Sequence, residues 1–306
     1  APAHEGPDRY RHVGFPGGAL FYDLAINWMN GQGLGYWLKD EATGVDSWPH
    51  VRIYLMGAID EPGAPGNVWV EMNDWPPAAE THTLFLAQDG SLGESIPTPG
   101  QLVLPIDPLD PVETHGGGNY QEPGGPWDQA AYPLGRPIES RDDVLTFTTD
   151  VLSEPTTVIG PVTAKIWIDP DTPDLDLSVR LTDVYPDGKS ILLIDGIQRA
   201  RKRCGDDIEC FLTPGVPEEI EVELWSTAMV FNAGHRIRVA IAGTNWERFE
   251  INSNDGGDLN NPNYIEAHPE ILFGPQYPSA LYLPFPALFA DGFESGDTSV
   301  WSVAVP

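Results

Sequence analysis

The feature that most constrains this chain is the period-two alternation of apolar residues that runs through its second half. In Val162–Ile168 the apolar Val162, Ala164, Ile166 and Ile168 alternate with Thr163, Lys165 and Trp167. Ile220, Val222 and Leu224 repeat the pattern, as do Ile237 and Val239. Alternation of this kind puts one face of a strand in a core and the other outside it. Turn formers separate the runs: Pro186-Asp187-Gly188, Thr213-Pro214-Gly215 and Asn232-Ala233-Gly234, each able to reverse the chain at low steric cost. Short strands at such spacing predict an all-β sandwich or barrel. Helical spacing is confined to the start, where Leu20, Leu24 and Trp28 with Phe21, Ala25 and Met29 predict one amphipathic helix, interrupted by Gly31, Gly33 and Gly35.

Charge narrows the partners. The 306 residues include 46 acidic and 16 basic ones, a formal net charge of −30, which argues against nucleic acid or an anionic membrane as a partner. Solubility is the simplest reading of this excess, and adaptation to salt is the sharper one, since exposed carboxylates repel at low ionic strength and are screened at higher. With 41% hydrophobic residues the chain can bury a core, as one large domain or two ordinary ones. No apolar run reaches the length of a membrane span. The chain begins at Ala1 without methionine or signal peptide, so a removed leader or a fragment is expected.

Several separated segments carry a family resemblance: RDDVLTFTTDVLSEPTTVIGPVTAKIWIDPDTPDLDLSVRLTDVYPDGKSILLIDGIQRARKR (141–203), DPLDPVETHGG (107–117), GPWDQ (125–129), ELWSTAMVFNAGHRIRVAIAGTNWERFEINSN (223–254), VRIYLMG (51–57) and DWPP (74–77). Together they resemble the C-terminal part of the X-Pro dipeptidyl-peptidase and cocaine-esterase (CocE/NonD) family of serine hydrolases. The resemblance implies a mainly β fold, a galactose-binding-like jelly-roll sandwich at 74–285. It is preceded at 1–73 by the last helix and crossover of an α/β-hydrolase domain and followed by a tail at 286–306. Residues 59–67 read as a loop, and the Pro- and Gly-rich stretch 95–140 as a long connection with few strands.

Acyl transfer in this class needs a Gly-x-Ser-x-Gly elbow, then an acid, then a histidine. Gly93-Glu94-Ser95 and Gly188-Lys189-Ser190 begin the elbow and do not complete it. By resemblance, Ala1-Pro2-Ala3-His4 matches the family's histidine segment, with His4 standing 33 residues before Trp37. His4 is therefore the candidate general base, and an unpaired terminal histidine is the plain alternative. The nucleophile, the acid and the oxyanion hole are expected upstream, and no cofactor is called for.

Other clusters have structural readings. Asp169, Asp171, Asp174 and Asp176, and then Asn252, Asn254, Asp255 and Asp258, are oxygen-rich. They lack calcium-loop spacing and suit tight turns. Arg199, Arg201 and Arg203 are expected to share a strand face and pair with Asp183, Asp187 or Asp195. Asp176 and Arg180, at polar positions of one strand, are expected near the surface. Trp37, Trp75, Trp225 and Trp246 match family positions where core or interdomain packing suffices. Cys204 and Cys210 bracket five residues, too sparse for zinc, so a local disulfide is expected, two free buried thiols being the alternative for a cytosolic protein. The segment FADGFESGDTSVWSVAVP resembles terminal tails of exported bacterial proteins, which favours the disulfide and a secreted, extracellular location.

These readings make the chain the non-catalytic C-terminal portion of a secreted serine hydrolase acting on a small ester or peptide, with the upstream hydrolase domain as its partner. The alternative is a free-standing jelly-roll module that binds carbohydrate or protein.

Overall fold

A computed structural model describes residues 33–59, 61–117, 126–131, 136–205, 207–258 and 262–286. Among these, a short helix (Gly33–Lys39) is followed by thirteen strands. The expected helix at 20–29 lies outside the described residues. No described helix is long and apolar enough to cross a membrane.

Two antiparallel sheets face each other across one core. The larger holds β3 (Ala79–Leu86), β4 (Leu92–Gly93), β5 (Gly100–Val103), β7 (Thr156–Asp169), β10 (Glu218–Phe231), β12 (Glu270–Phe273) and β13 (Ala280–Pro286). Its centre is β7, which pairs with β10 along one edge and with β13 and then β12 along the other. The smaller sheet runs β6 (Val144–Thr148), β11 (Arg236–Ala242), β8 (Asp176–Val184), β9 (Ser190–Arg199). The alternating residues point inward as expected: Val162, Ile166, Val179, Leu181, Ile220, Val222, Ile237 and Val239 all lie in the main core. Each such side chain contributes about 1.5–3 kcal/mol through burial. The sheets approach so closely between β9 and β10 that a Cβ on Gly196 would stand 2.1 Å from the Glu223 carbonyl oxygen. Only glycine fits there without a backbone shift.

A hairpin of β1 (Val51–Leu55) and β2 (Val68–Met72) lies beside β10. Met56 donates to the Ala228 carbonyl at 2.9 Å and accepts from the Val230 N–H at 2.8 Å. Leu55 and Val70 pack with Ile159, Ala228 and Val230 in a second, smaller core. Of the stretch 59–67, expected as a loop, the described residues lie in no helix or strand.

Sequence periodicity fails at β8. Its inward residues behave as expected, but every residue of the strand is buried, including Asp176 and Arg180. The cause is a second layer. Described parts of the long connection between β5 and β6 lie over the outer face of the smaller sheet, where Val112 and Ile138 pack on Val144, Ala240 and Ala242. Both charged residues are paired: Asp176 accepts two hydrogen bonds from Arg199, at 2.9 and 3.0 Å, and Arg180 donates to Asn245 Oδ1 at 2.9 Å.

The arginine expectation also changes. Strand β9 ends at Arg199, and Ala200–Lys202 turn into a 3-10 helix, so the three arginines diverge. Arg199 pairs with Asp176, Arg201 with Asp174, and Arg203 with Glu218. Asp183, Asp187 and Asp195 pair instead with His235, Lys189 and Arg248. The two oxygen-rich clusters meet at Asn252, whose side-chain amide bridges Asp174 and Asp176 at 2.8 Å each. The cations that meet these carboxylates are Arg199 and Arg201. Beside them, Cys204 and Cys210 are joined in a disulfide.

Candidate functional site

His4, the candidate general base, lies outside the described residues. The two incomplete serine elbows can be placed. Ser95 sits at the rim of an open groove of about 620 Å³ beside Asp89, Ile96 and Asp150. Ser190 is fully buried; its hydroxyl donates to Glu139 Oε1 at 2.6 Å and lies 2.8 Å from the Thr182 hydroxyl. Among the described residues no histidine is hydrogen-bonded to a serine hydroxyl. His235 comes nearest to a triad arrangement, since Asp183 binds its Nδ1 at 2.8 Å. Its Nε2, however, faces Glu61 at 3.0 Å, where a hydrolase would present its nucleophile. The described chain thus holds carboxylate–histidine pairs without the group they would activate.

What the described residues do build is a polar seam under the long connection. The motif DPLDPVETHGG supplies it. Val112 N–H donates to Thr244 Oγ1 at 2.7 Å, and the Thr114 hydroxyl donates to the backbone and side-chain oxygens of Asn245 at 2.8 and 2.7 Å. Asn245 Nδ2 in turn donates to Asp195 at 2.7 Å, and Arg248 closes on the other Asp195 oxygen at 2.7 Å. Arg180 lies beneath, donating to the Glu113 carbonyl and to Asn245. Full burial pulls its guanidinium down from the usual value to about 10, against the attraction of Asp195.

The second motif, GPWDQ, makes the other half of the cover. Leu192 N–H donates to the Trp127 carbonyl at 2.9 Å, Asp128 Oδ1 accepts from Ser190 N–H at 2.9 Å, and Gln129 Nε2 reaches back to the His115 carbonyl at 2.9 Å. Burial pushes the carboxyl of Glu139 above its ordinary range, although Arg238 at 2.6 Å opposes this. Both quoted motifs are therefore fasteners: their hydrogen bonds replace the water that an uncovered sheet face would keep.

On the larger sheet the bulge in β10 leaves a different surface. The register shifts between Glu223 and Ser226 where β10 passes Pro161 and Val162, a proline that offers no N–H to the ladder. Leu224 turns inward, while Trp225 takes φ +70° and is 70% exposed. A non-glycine residue held in that region costs about 1–3 kcal/mol and persists only where the surroundings impose it. Trp75 is also exposed, and its neighbour Pro76 touches the space above Gly160, two residues from the bulge register. Of the four tryptophans matched in the sequence, Trp37, Trp75, Trp225 and Trp246 are all exposed, so none serves as core within this chain. Their shared apolar, outward placement is the signal that sequence alone did not supply.

Comparison with known proteins agrees with the architecture. Residues 43–282 match the X-Pro dipeptidyl-peptidase C-terminal non-catalytic domain. Cocaine esterase of Rhodococcus sp. is 34% identical over 268 residues, 81% of this chain and 43% of that protein. Among solved structures, an aminopeptidase from a marine sediment Thaumarchaeota archaeon superposes with a TM-score of 0.68 at 26% identity, covering 85% of this chain and 44% of that one. An alpha-amino acid ester hydrolase, at 23% identity and a TM-score of 0.63, shares the fold over 72% of this chain and 39% of its own. The chain spans less than half the length of each of these relatives. It belongs to the X-Pro dipeptidyl-peptidase C-terminal domain family, as found in hydrolases of the CocE/NonD type.

Proposed function

We propose that this chain is the supporting C-terminal module of a secreted serine hydrolase, an acyl esterase or X-Pro dipeptidyl-peptidase. The nucleophile, acid and oxyanion hole then lie in an α/β-hydrolase domain that precedes it. Residues 1–73 are the trailing part of that domain and the crossing into the sandwich, residues 74–285 the supporting sandwich, and residues 286–306 a tail. His4 is the general base of the assembled triad. The disulfide between Cys204 and Cys210 supports an oxidising, extracellular setting.

One observation carries this reading: a described chain without an activated serine leaves Trp225 bare at the β10 bulge, with Trp37, Trp75 and Trp246 exposed elsewhere. Tryptophans of this kind act as anchors when a partner covers them. The partner is the hydrolase domain of the same polypeptide, and the sandwich walls one side of its substrate cleft. The test is direct. The chain alone, incubated with p-nitrophenyl esters, Gly-Pro-anilide and a fluorophosphonate probe, gives background hydrolysis and no label. The same residues joined to their upstream domain give turnover and a label on that domain. A product burst or labelling from the chain alone contradicts the proposal.

A further inference from the structure

We propose that Asp183, His235 and Glu61 form a proton-operated latch that ties the β1–β2 loop to the sandwich and releases it when the ring loses a proton. The three residues are distant in sequence and come from β8, the residue just before β11 and the loop between β1 and β2. His235 is fully buried, with Asp183 Oδ1 2.8 Å from Nδ1 and Glu61 Oε1 3.0 Å from Nε2. A neutral imidazole carries one N–H and one acceptor nitrogen. Two carboxylate partners at hydrogen-bond distance therefore select the doubly protonated ring.

The surroundings fit an imidazolium. Asp183 is buried and its other oxygen has no hydrogen-bond partner among the described residues, so the ring is the cation that meets its charge. Glu61 is about a third exposed and is steadied by Asn232, which donates to its second oxygen at 2.7 Å. The Tyr185 ring lies 4.2 Å from the imidazole, and its hydroxyl accepts from the Ile59 N–H at 2.9 Å. From the β8–β9 turn, Lys189 stands over that Tyr185 ring at 5.2 Å and pairs with Asp187. Ile59 and Ala64 of the loop pack on Ala58, Tyr185 and Ile191, so the latch holds a small apolar contact in place.

Burial alone would push the ring's pKa down. The bond and charge of Asp183, and then those of Glu61, outweigh it and hold the pKa above the ordinary histidine value. Burial likewise raises Asp183, so the pair as a unit resists losing its proton. A folded-state pKa above the unfolded one means that the latch is fully closed below the ordinary histidine range and opens as pH rises through the raised value. Glu61, on the exposed side, is the arm that lets go. The loop belongs to the hairpin through which the chain enters the sandwich, so pH sets how firmly the preceding segment is anchored.

The test is ring ¹⁵N spectroscopy of the full chain across neutral pH, with the protection factor of the Ile59 amide as the readout of the loop and that of Val179 as the control. The account expects both ring nitrogens of His235 to be protonated near pH 7. It also expects a fall of about tenfold in Ile59 protection as pH rises through the ring's midpoint, with Val179 unchanged. Glu61→Gln lowers the midpoint by about half a pH unit or more. A singly protonated ring near pH 7, a midpoint unmoved by Glu61→Gln, or Ile59 protection equal on both sides of the midpoint overturns the proposal.

Discussion

The outer faces of the two sheets have been treated in opposite ways. Over the smaller sheet the chain's own connection buries charged residues and satisfies them through Asn245, Asp195 and Arg248. Beside the β10 bulge it leaves Trp225 in a strained, exposed conformation. A face that the chain seals for itself has to close its hydrogen bonds internally, because a buried polar group without a partner is costly. A face awaiting another domain can leave apolar side chains bare, since the partner will cover them. On the function proposed above, the first face serves the fold and the second serves assembly.

The comparison can be broken by substitution, beginning with the buried side. Arg180→Ala leaves the seam without its central cation and should lower unfolding free energy by about 3–5 kcal/mol in chemical denaturation. Arg180→Met, which fills much of the same space without charge, should cost nearly as much. A far smaller loss from Arg180→Met would mean that volume and not charge holds the seam. Gly196→Ala comes next: the Cβ forced against the Glu223 carbonyl should cost about 1–3 kcal/mol as overpacking, read as a lower denaturation midpoint at unchanged slope.

On the exposed side the sign reverses. Trp225→Gly removes a side chain that touches little within the chain and relaxes its positive φ, so the isolated chain should gain up to about 1 kcal/mol. The same change should weaken the hold on the upstream domain about thirtyfold, the loss of one aromatic anchor. A destabilised isolated chain would instead place Trp225 among the residues that hold the sandwich together.

The smallest effects come from the charge surplus. The melting temperature should rise by a few degrees as sodium chloride is raised from low to physiological strength, because screening relieves repulsion among carboxylates. Burial raises the carboxyls of Asp176, Glu139 and Asp183 above their ordinary values, and carboxylate partners raise His235. In each case the folded pKa lies above the unfolded one, so the contribution is whole below the unfolded value and lost as pH rises through the folded one. Melting temperatures at fixed low salt should therefore be higher on the acid side of neutrality than on the alkaline side. A flat response to both salt and pH would show that the carboxylates are locally paired.

How much of this was legible in the residues follows from what each pattern encodes. Alternation in β7, β10 and β11 marked the buried face because one face of each strand meets the core and the other stays more open. The same alternation misplaced Asp176 and Arg180. A strand cannot announce that a distant segment will cover its polar side, and the covering residues at 104–117, 126–131 and 136–143 make their bonds through backbone and side-chain groups that have no period. The Cys204–Cys210 pair was readable because its partners are neighbours. The latch of Asp183, His235 and Glu61 was not, since tertiary packing alone brings those residues together. The tryptophans were found by position, but the exposure of Trp225 goes with a bulge in β10 opposite Pro161 on a neighbouring strand.

The most direct measurement is hydrogen exchange on this chain alone and on the same residues within the longer polypeptide. The account predicts that amides at 223–227, around the β10 bulge, gain protection when the upstream domain is present, while those at 244–248, under the chain's own cover, do not change. Unchanged exchange at the bulge, or new protection confined to the seam, would contradict the claim that the bare tryptophan face is where the catalytic domain docks.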